Sequence, residues 1–173
     1  MRDADGTMPR TAGRCSTNES GGSVHMSRIS ATPSGGAFAI EVVSTGTGKI
    51  VVGDFTETFP MDLTFWDAEH YEQSWAKALR RLEEADVATS CLVASITDPK
   101  TANYISCWPL YRIQGTVFVQ NSLIILNELN KVFDPERPWL STDPREIVDE
   151  DGNKISEWRT GIENVREFRA ASG

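Results

Sequence analysis

Asp67-Ala68-Glu69-His70-Tyr71-Glu72-Gln73-Ser74-Trp75-Ala76-Lys77-Ala78-Leu79-Arg80-Arg81-Leu82 is the stretch that decides the fold class. Tyr71, Trp75, Ala78, Leu79 and Leu82 recur at helical spacing, so a helix gathers them into one apolar stripe that needs a core to cover it. Asp67 stands where an N-cap carboxylate reaches free amide groups. Trp66 before it and Tyr71 after it are spaced as a hydrophobic staple. Arg80, Arg81, Glu83 and Glu84 fall off the stripe and should face water.

The periodicity on both sides is that of strands. Before the helix, Phe38, Ile40 and Val42 alternate with Ala39, Glu41 and Val43, and a second strand is expected over residues 50–55, with residues 44–49 as the turn of a hairpin. After it come β segments at 90–97, 103–113 and 116–120, with Gln114-Gly115 as a turn. Pro109 has no amide hydrogen, so it predicts an edge position or a bulge. Residues 121–143 read as irregular. Residues 145–149 and 154–158 flank Glu150-Asp151-Gly152-Asn153 as another hairpin. Thr160 and Glu163 match a capping box for a last helix with Ile162, Val165 and Phe168 inward. The expected fold is α+β: an antiparallel sheet of about five to seven strands packed against one long amphipathic helix and a C-terminal helix.

Of the 173 residues, 37–173 read as a single domain. Residues 1–36 read as a disordered leader, or an over-long start with Met8 and Met26 as alternatives. Half of them are Gly, Ser, Thr or Pro, which bury too little to offset an ordering cost of roughly 1–2 kcal/mol per residue. There is no long apolar run and no secretory h-region, so a cytoplasmic protein with free thiols at Cys15, Cys91 and Cys107 is expected.

The net charge is −8. Residues 1–36 hold four arginines and three acids, so the acidity lies entirely in 37–173. Such a surface repels phosphate backbones and attracts a basic partner. Direct nucleic-acid binding is not expected: Tyr104, Trp108 and Tyr111 have only Arg112 as a basic neighbour.

Catalytic and cofactor signatures fail one by one. Gly46-Thr47-Gly48-Lys49 is superficially similar to a phosphate loop, but Val43 stands where the first glycine belongs and Ile50 replaces the hydroxyl residue. The turn at Asp149 puts Lys154 and Thr160 where a calcium loop needs glycine and glutamate. No zinc spacing joins Cys91, Cys107 and His70. The remaining enzyme reading is a small hydrolase using His70 and a carboxylate. No cofactor and no metal are expected.

Asp62-Leu63-Thr64-Phe65-Trp66-Asp67 is followed by Tyr71, Ser74-Trp75 and Leu79. Asn103-Tyr104-Ile105, Trp108, Leu110-Tyr111, Val117-Phe118-Val119-Gln120-Asn121 and Asp151-Gly152-Asn153-Lys154-Ile155-Ser156-Glu157-Trp158 come later in the chain. In this order the set resembles the immunity proteins of bacterial contact-dependent growth inhibition systems, over roughly residues 58–170. The resemblance implies a non-enzymatic cytoplasmic inhibitor of the C-terminal toxin domain of a surface effector. The toxins of that class are often nucleases, some acting on transfer RNA, and a one-to-one complex is expected.

Two acidic clusters are then candidates for toxin contact. The preferred one is Asp149, Glu150 and Asp151, on a turn with no basic neighbour closer than Arg145 and Lys154. The second is Glu83, Glu84 and Asp86 at the end of the long helix, beside Arg80 and Arg81. Trp66, Tyr71, Trp75, Trp108 and Trp158 are expected to be scaffold.

Overall fold

The computed structural model describes residues 37–173, and the reading of residues 1–36 as a disordered leader lies outside them. Two antiparallel sheets and two helices share one apolar core. The first sheet is β1 (Phe38–Ser44), β2 (Thr47–Val52) and β3 (Phe55–Pro60), in that order. The expected hairpin is thus a three-stranded meander. Its turns are tight, and Gly46 and Gly53 supply their positive φ angles of 72° and 61°. Gly48 faces Phe59 across the ladder, and a Cβ there would lie 2.5 Å from the Phe59 ring.

α1 (Ala68–Leu82) follows. The Asp67 carboxylate accepts the His70 amide at 2.8 Å, and the Trp66 and Tyr71 rings meet edge to face at 5.3 Å. All five stripe residues are buried. α1 lies along β4 (Val87–Ser95): Ser90 donates to the Ala78 carbonyl at 2.7 Å, and the Trp75 indole to that of Val93 at 2.8 Å.

The second sheet runs β4, β5 (Tyr104–Ile113), β6 (Thr116–Gln120) and β8 (Glu157–Gly161), with β7 (Ser122–Ile125) also on β5. Residues 121–143 therefore contain a strand, besides 3-10 turns at Leu126–Glu128 and Pro138–Ser141. Pro109 is interior rather than at an edge. β6 pairs with Leu110 onward and β7 with β5 as far as Cys107, in one continuing register. Residues 116–125 thus form one strand interrupted opposite Pro109, which has no N–H to give. Phe55 and Phe59 of the first sheet each lie 6.1 Å from Trp108 of the second, joining the two sheets through aromatic contacts.

α2 (Ile162–Ser172) packs Phe168 edge-on against Phe38 at 5.6 Å. Its N-cap is Gly161, one residue later than the capping-box reading places it. Thr160 lies inside β8, buried, with its hydroxyl accepting from the Asn164 side-chain amide at 3.2 Å. The segment between β7 and β8 covers the second sheet, held where the Tyr111 hydroxyl donates to the Asp143 carbonyl at 2.9 Å. Burial pushes the Tyr111 pKa up to about 12, so it remains a donor.

Candidate functional site

The expected second hairpin is narrower than its sequence suggests. One bridge, Val148 to Lys154, and the bond from the Ile155 amide to the Ile147 carbonyl at 3.0 Å pair its arms. Its root is firmly held. Arg145 grips Glu157 with two bonds, 2.8 and 2.6 Å, and lies 3.9 Å over the Phe118 ring. Gln120 donates to Glu157 and to the Glu146 carbonyl, both at 2.7 Å.

At the tip the three acids divide their work. The Asp149 carboxylate accepts the amides of Asp151 at 3.0 Å and Asn153 at 2.7 Å, and the Asn153 side chain at 3.2 Å. Gly152 closes the turn at φ 82°. The bonds from Asn153 hold the Asp149 carboxyl below its ordinary range. Asp149 therefore builds the turn, and Glu150 and Asp151 are presented, both exposed.

In the helix-end cluster every acid has a cation inside the same chain. Glu83 pairs with Arg169 of α2, Glu84 with Arg81 at 3.6 Å, and Asp86 with Arg112 at 3.0 Å. Arg112 is only 6% exposed and donates as well to the carbonyls of Leu82 and Gln114, at 2.9 and 2.7 Å. It ties the end of α1 to the β5–β6 turn. Exposed β-branched residues flank both clusters, Ile147 and Val148 at one and the cross-strand pair Val87 and Ile113 at the other, so apolar surface does not separate them.

His70 stacks on Trp66 at 4.7 Å, and its Nε2 lies 3.2 Å from Glu136, which also binds Lys77. The Lys77 ammonium, and then His70, hold the Glu136 carboxyl below its usual range. The His70 ring partner is thus a carboxylate that is also engaged by a lysine. Among the described residues, no group of three or more His, Cys, Asp or Glu side chains is placed to hold a metal ion. No helix among them is long and apolar enough to cross a membrane.

Trp66, Tyr71, Trp75 and Trp108 are buried, and Trp158 is half-buried, stacked on Phe55 at 3.7 Å. One feature escaped the sequence reading. Between β3, β4, β5 and β7 lies a cavity of about 530 Å³ lined by residues including Asp62, Tyr104 and Leu123. Its walls come from segments distant in sequence, so no local pattern announces it.

Comparison with known proteins places this geometry. The model of the CdiI N-terminal domain family matches residues 61–168. The immunity protein CdiI of Enterobacter cloacae subsp. cloacae is 36% identical over 120 residues, spanning 69% of this chain and 81% of that protein. The solved CdiA-CT/CdiI toxin and immunity complex from Enterobacter cloacae contains a chain that superposes with a TM-score of 0.69 at 33% identity. That match covers 78% of this chain and 97% of the other.

Proposed function

This chain belongs to the CdiI immunity-protein family, and from that premise we propose that it binds and neutralises one cognate toxin domain in a one-to-one complex. It does so in the cytoplasm and without catalysis. The observation that carries the reading is the superposition of most of the chain on a protein solved in complex with a toxin. The net charge of −8 supports a basic toxin, and a nuclease is basic because it must hold substrate phosphates. Transfer RNA is the substrate proposed for it.

The hairpin tip is the proposed contact. Among the described residues Glu150 and Asp151 have no cation partner, so a cationic cleft relieves their repulsion at no cost to the fold. The helix-end acids would have to abandon Arg169, Arg81 and Arg112. An interface of roughly 1,600 Å² in total is adequate for tight binding.

Co-expression with the toxin domain encoded beside this chain tests the reading. Growth should be restored, and the two chains should elute together at equal stoichiometry from a sizing column. Persistent growth inhibition with separate elution overturns it.

A further inference from the structure

The loop from Asp62 to Phe65 is rigid for reasons the core does not require. The Asp62 amide donates to the Ser95 hydroxyl at 3.0 Å, and its carbonyl accepts from the Tyr71 hydroxyl at 2.7 Å. The Tyr71 oxygen is itself fixed by the Ile96 amide at 3.0 Å. On the side chain, Oδ1 accepts the Thr64 amide at 2.9 Å and the Thr64 hydroxyl. Those bonds, the hydroxyl foremost, hold the Asp62 carboxyl below its usual range, so it is anionic. Among the described residues Oδ2 has no hydrogen-bond partner.

Among the described residues this fixed carboxylate is the one charged group lining the 530 Å³ cavity. In the same lining, β5 and β7 pair Ser106 with Leu123, and Tyr104 pairs with Ile125. The two-residue period of a strand puts Tyr104, Ser106 and Leu123 on one face. Tyr104 is 55% exposed and Leu123 50%. Scattered exposed apolar residues are ordinary. A tyrosine and a leucine lining the same concavity as a rigid carboxylate offer an aromatic face, an aliphatic contact and a terminal acceptor for recognition.

We infer that this groove receives one arginine or lysine side chain from the toxin domain, its aliphatic stem on Leu123 and the Tyr104 ring and its cationic head on Asp62 Oδ2. The inference rests on the toxin-binding reading above and adds a second contact region to the hairpin tip. Long basic side chains place an apolar stem and a charged end in this manner, and a tyrosine face attracts the cation. Because the acceptor is held before binding, little ordering is required when the partner arrives. The acidity of the chain favours a basic partner for this groove as well.

Binding kinetics with the purified toxin domain test it. Tyr104→Ala and Leu123→Ser alter exposed side chains and should melt as wild type does, while each raises the dissociation rate about tenfold. Asp62→Asn should do the same and flatten the salt dependence. If wild type binds and both Tyr104→Ala and Leu123→Ser dissociate at its rate, the groove is not a contact, and the toxin-binding reading stands without it. If wild type does not bind the toxin, that reading has failed, and titration with N-acetyl-arginine amide decides the groove separately. Backbone amide shifts at Asp62, Tyr104 and Leu123 that vanish in Asp62→Asn support the pocket; their absence in wild type overturns it.

Discussion

Residues 83–86 and residues 149–151 each carry three acids, and the fold treats them in opposite ways. Glu83, Glu84 and Asp86 are matched to Arg169, Arg81 and Arg112, so that cluster closes the end of α1 against α2 and β5. Of the other three, Asp149 shapes a turn, and Glu150 and Asp151 have no cation partner among the described residues and are exposed on an arm clamped by Arg145 and Glu157. Formal charge is thus a poor guide to available charge. The quantity that governs recognition is the charge left over after internal pairing.

The largest expected effect lies on the closed side. Arg112→Ala removes three donors from a buried position and leaves the carbonyls of Leu82 and Gln114 without their partner. An unsatisfied buried group costs about 1–3 kcal/mol, and the Leu82 carbonyl is the buried one while that of exposed Gln114 can turn to water, so a loss of about 2–3 kcal/mol is expected in urea unfolding. Asp86→Asn should cost far less, because Asp86 is 84% exposed and the two carbonyl bonds of Arg112 survive. Equal losses for the two variants would show that the ion pair, rather than the carbonyl bonds, holds this corner.

Next in size is the effect on association. Glu150→Lys with Asp151→Lys spares the carboxylate that builds the turn. Stability should stay within about 0.5 kcal/mol of wild type, as for surface changes in general. Association with the toxin should slow about tenfold at low salt and lose much of its salt dependence. Glu84→Lys, which adds one cation at the helix end, should leave the association rate near wild type. A result with these two reversed moves the contact to the helix end.

These contrasts also mark what was legible in the sequence. The α1 stripe, the Asp67 cap, the Gln114-Gly115 turn and the β4–β5–β6 meander depend on neighbours within one element or one turn, and periodicity reports them. β3 was not legible: Phe55-Thr56-Glu57-Thr58-Phe59-Pro60 has only its phenylalanines to mark it, and its partner β2 begins three residues earlier than the expected strand. Pro109 was misplaced because its compensation is a break in the facing strand, more than ten residues away. The two acidic clusters were separable in the sequence only through the local Arg80 and Arg81, one of which pairs with Glu84; the partners of the other two acids are remote, Arg169 lying 86 residues from Glu83 and Arg112 lying 26 from Asp86. The Asp62 groove draws its walls from β3, β4, β5 and β7 and has no local signature.

A smaller effect is expected at the root of the arm. Arg145→Ala removes both bonds to Glu157 and the cover over Phe118. Bonds to charged groups contribute about 1.5–3 kcal/mol, and with both side chains partly open to solvent about 1 kcal/mol is expected here. The loss should be local. Amide exchange should accelerate over residues 146–155 and remain unchanged in α1 and β4. Faster exchange throughout would mean that the clamp supports the whole sheet rather than the arm.

The smallest effect is a titration at the tip. The Asp149 carboxyl is held below its ordinary 3.8 by the Asn153 amide first and the Asn153 side chain second. A lowered folded pKa means that the bonds favour the ionised form. Their stabilisation is complete above 3.8 and disappears as the pH falls through the folded value. The tip should therefore keep its shape through the physiological range and fray only in acid. The amide shifts of Asp151 and Asn153 should titrate together with a midpoint below 3.8. Asp149→Asn sharpens the test, since it keeps an oxygen to accept the two backbone amides but has no proton to gain, so the turn should persist and the titration vanish. A midpoint above 3.8, or a titration that survives in Asp149→Asn, would mean that another group shapes the turn. All three acids would then be free, and the division of labour between Asp149 and its neighbours would be lost.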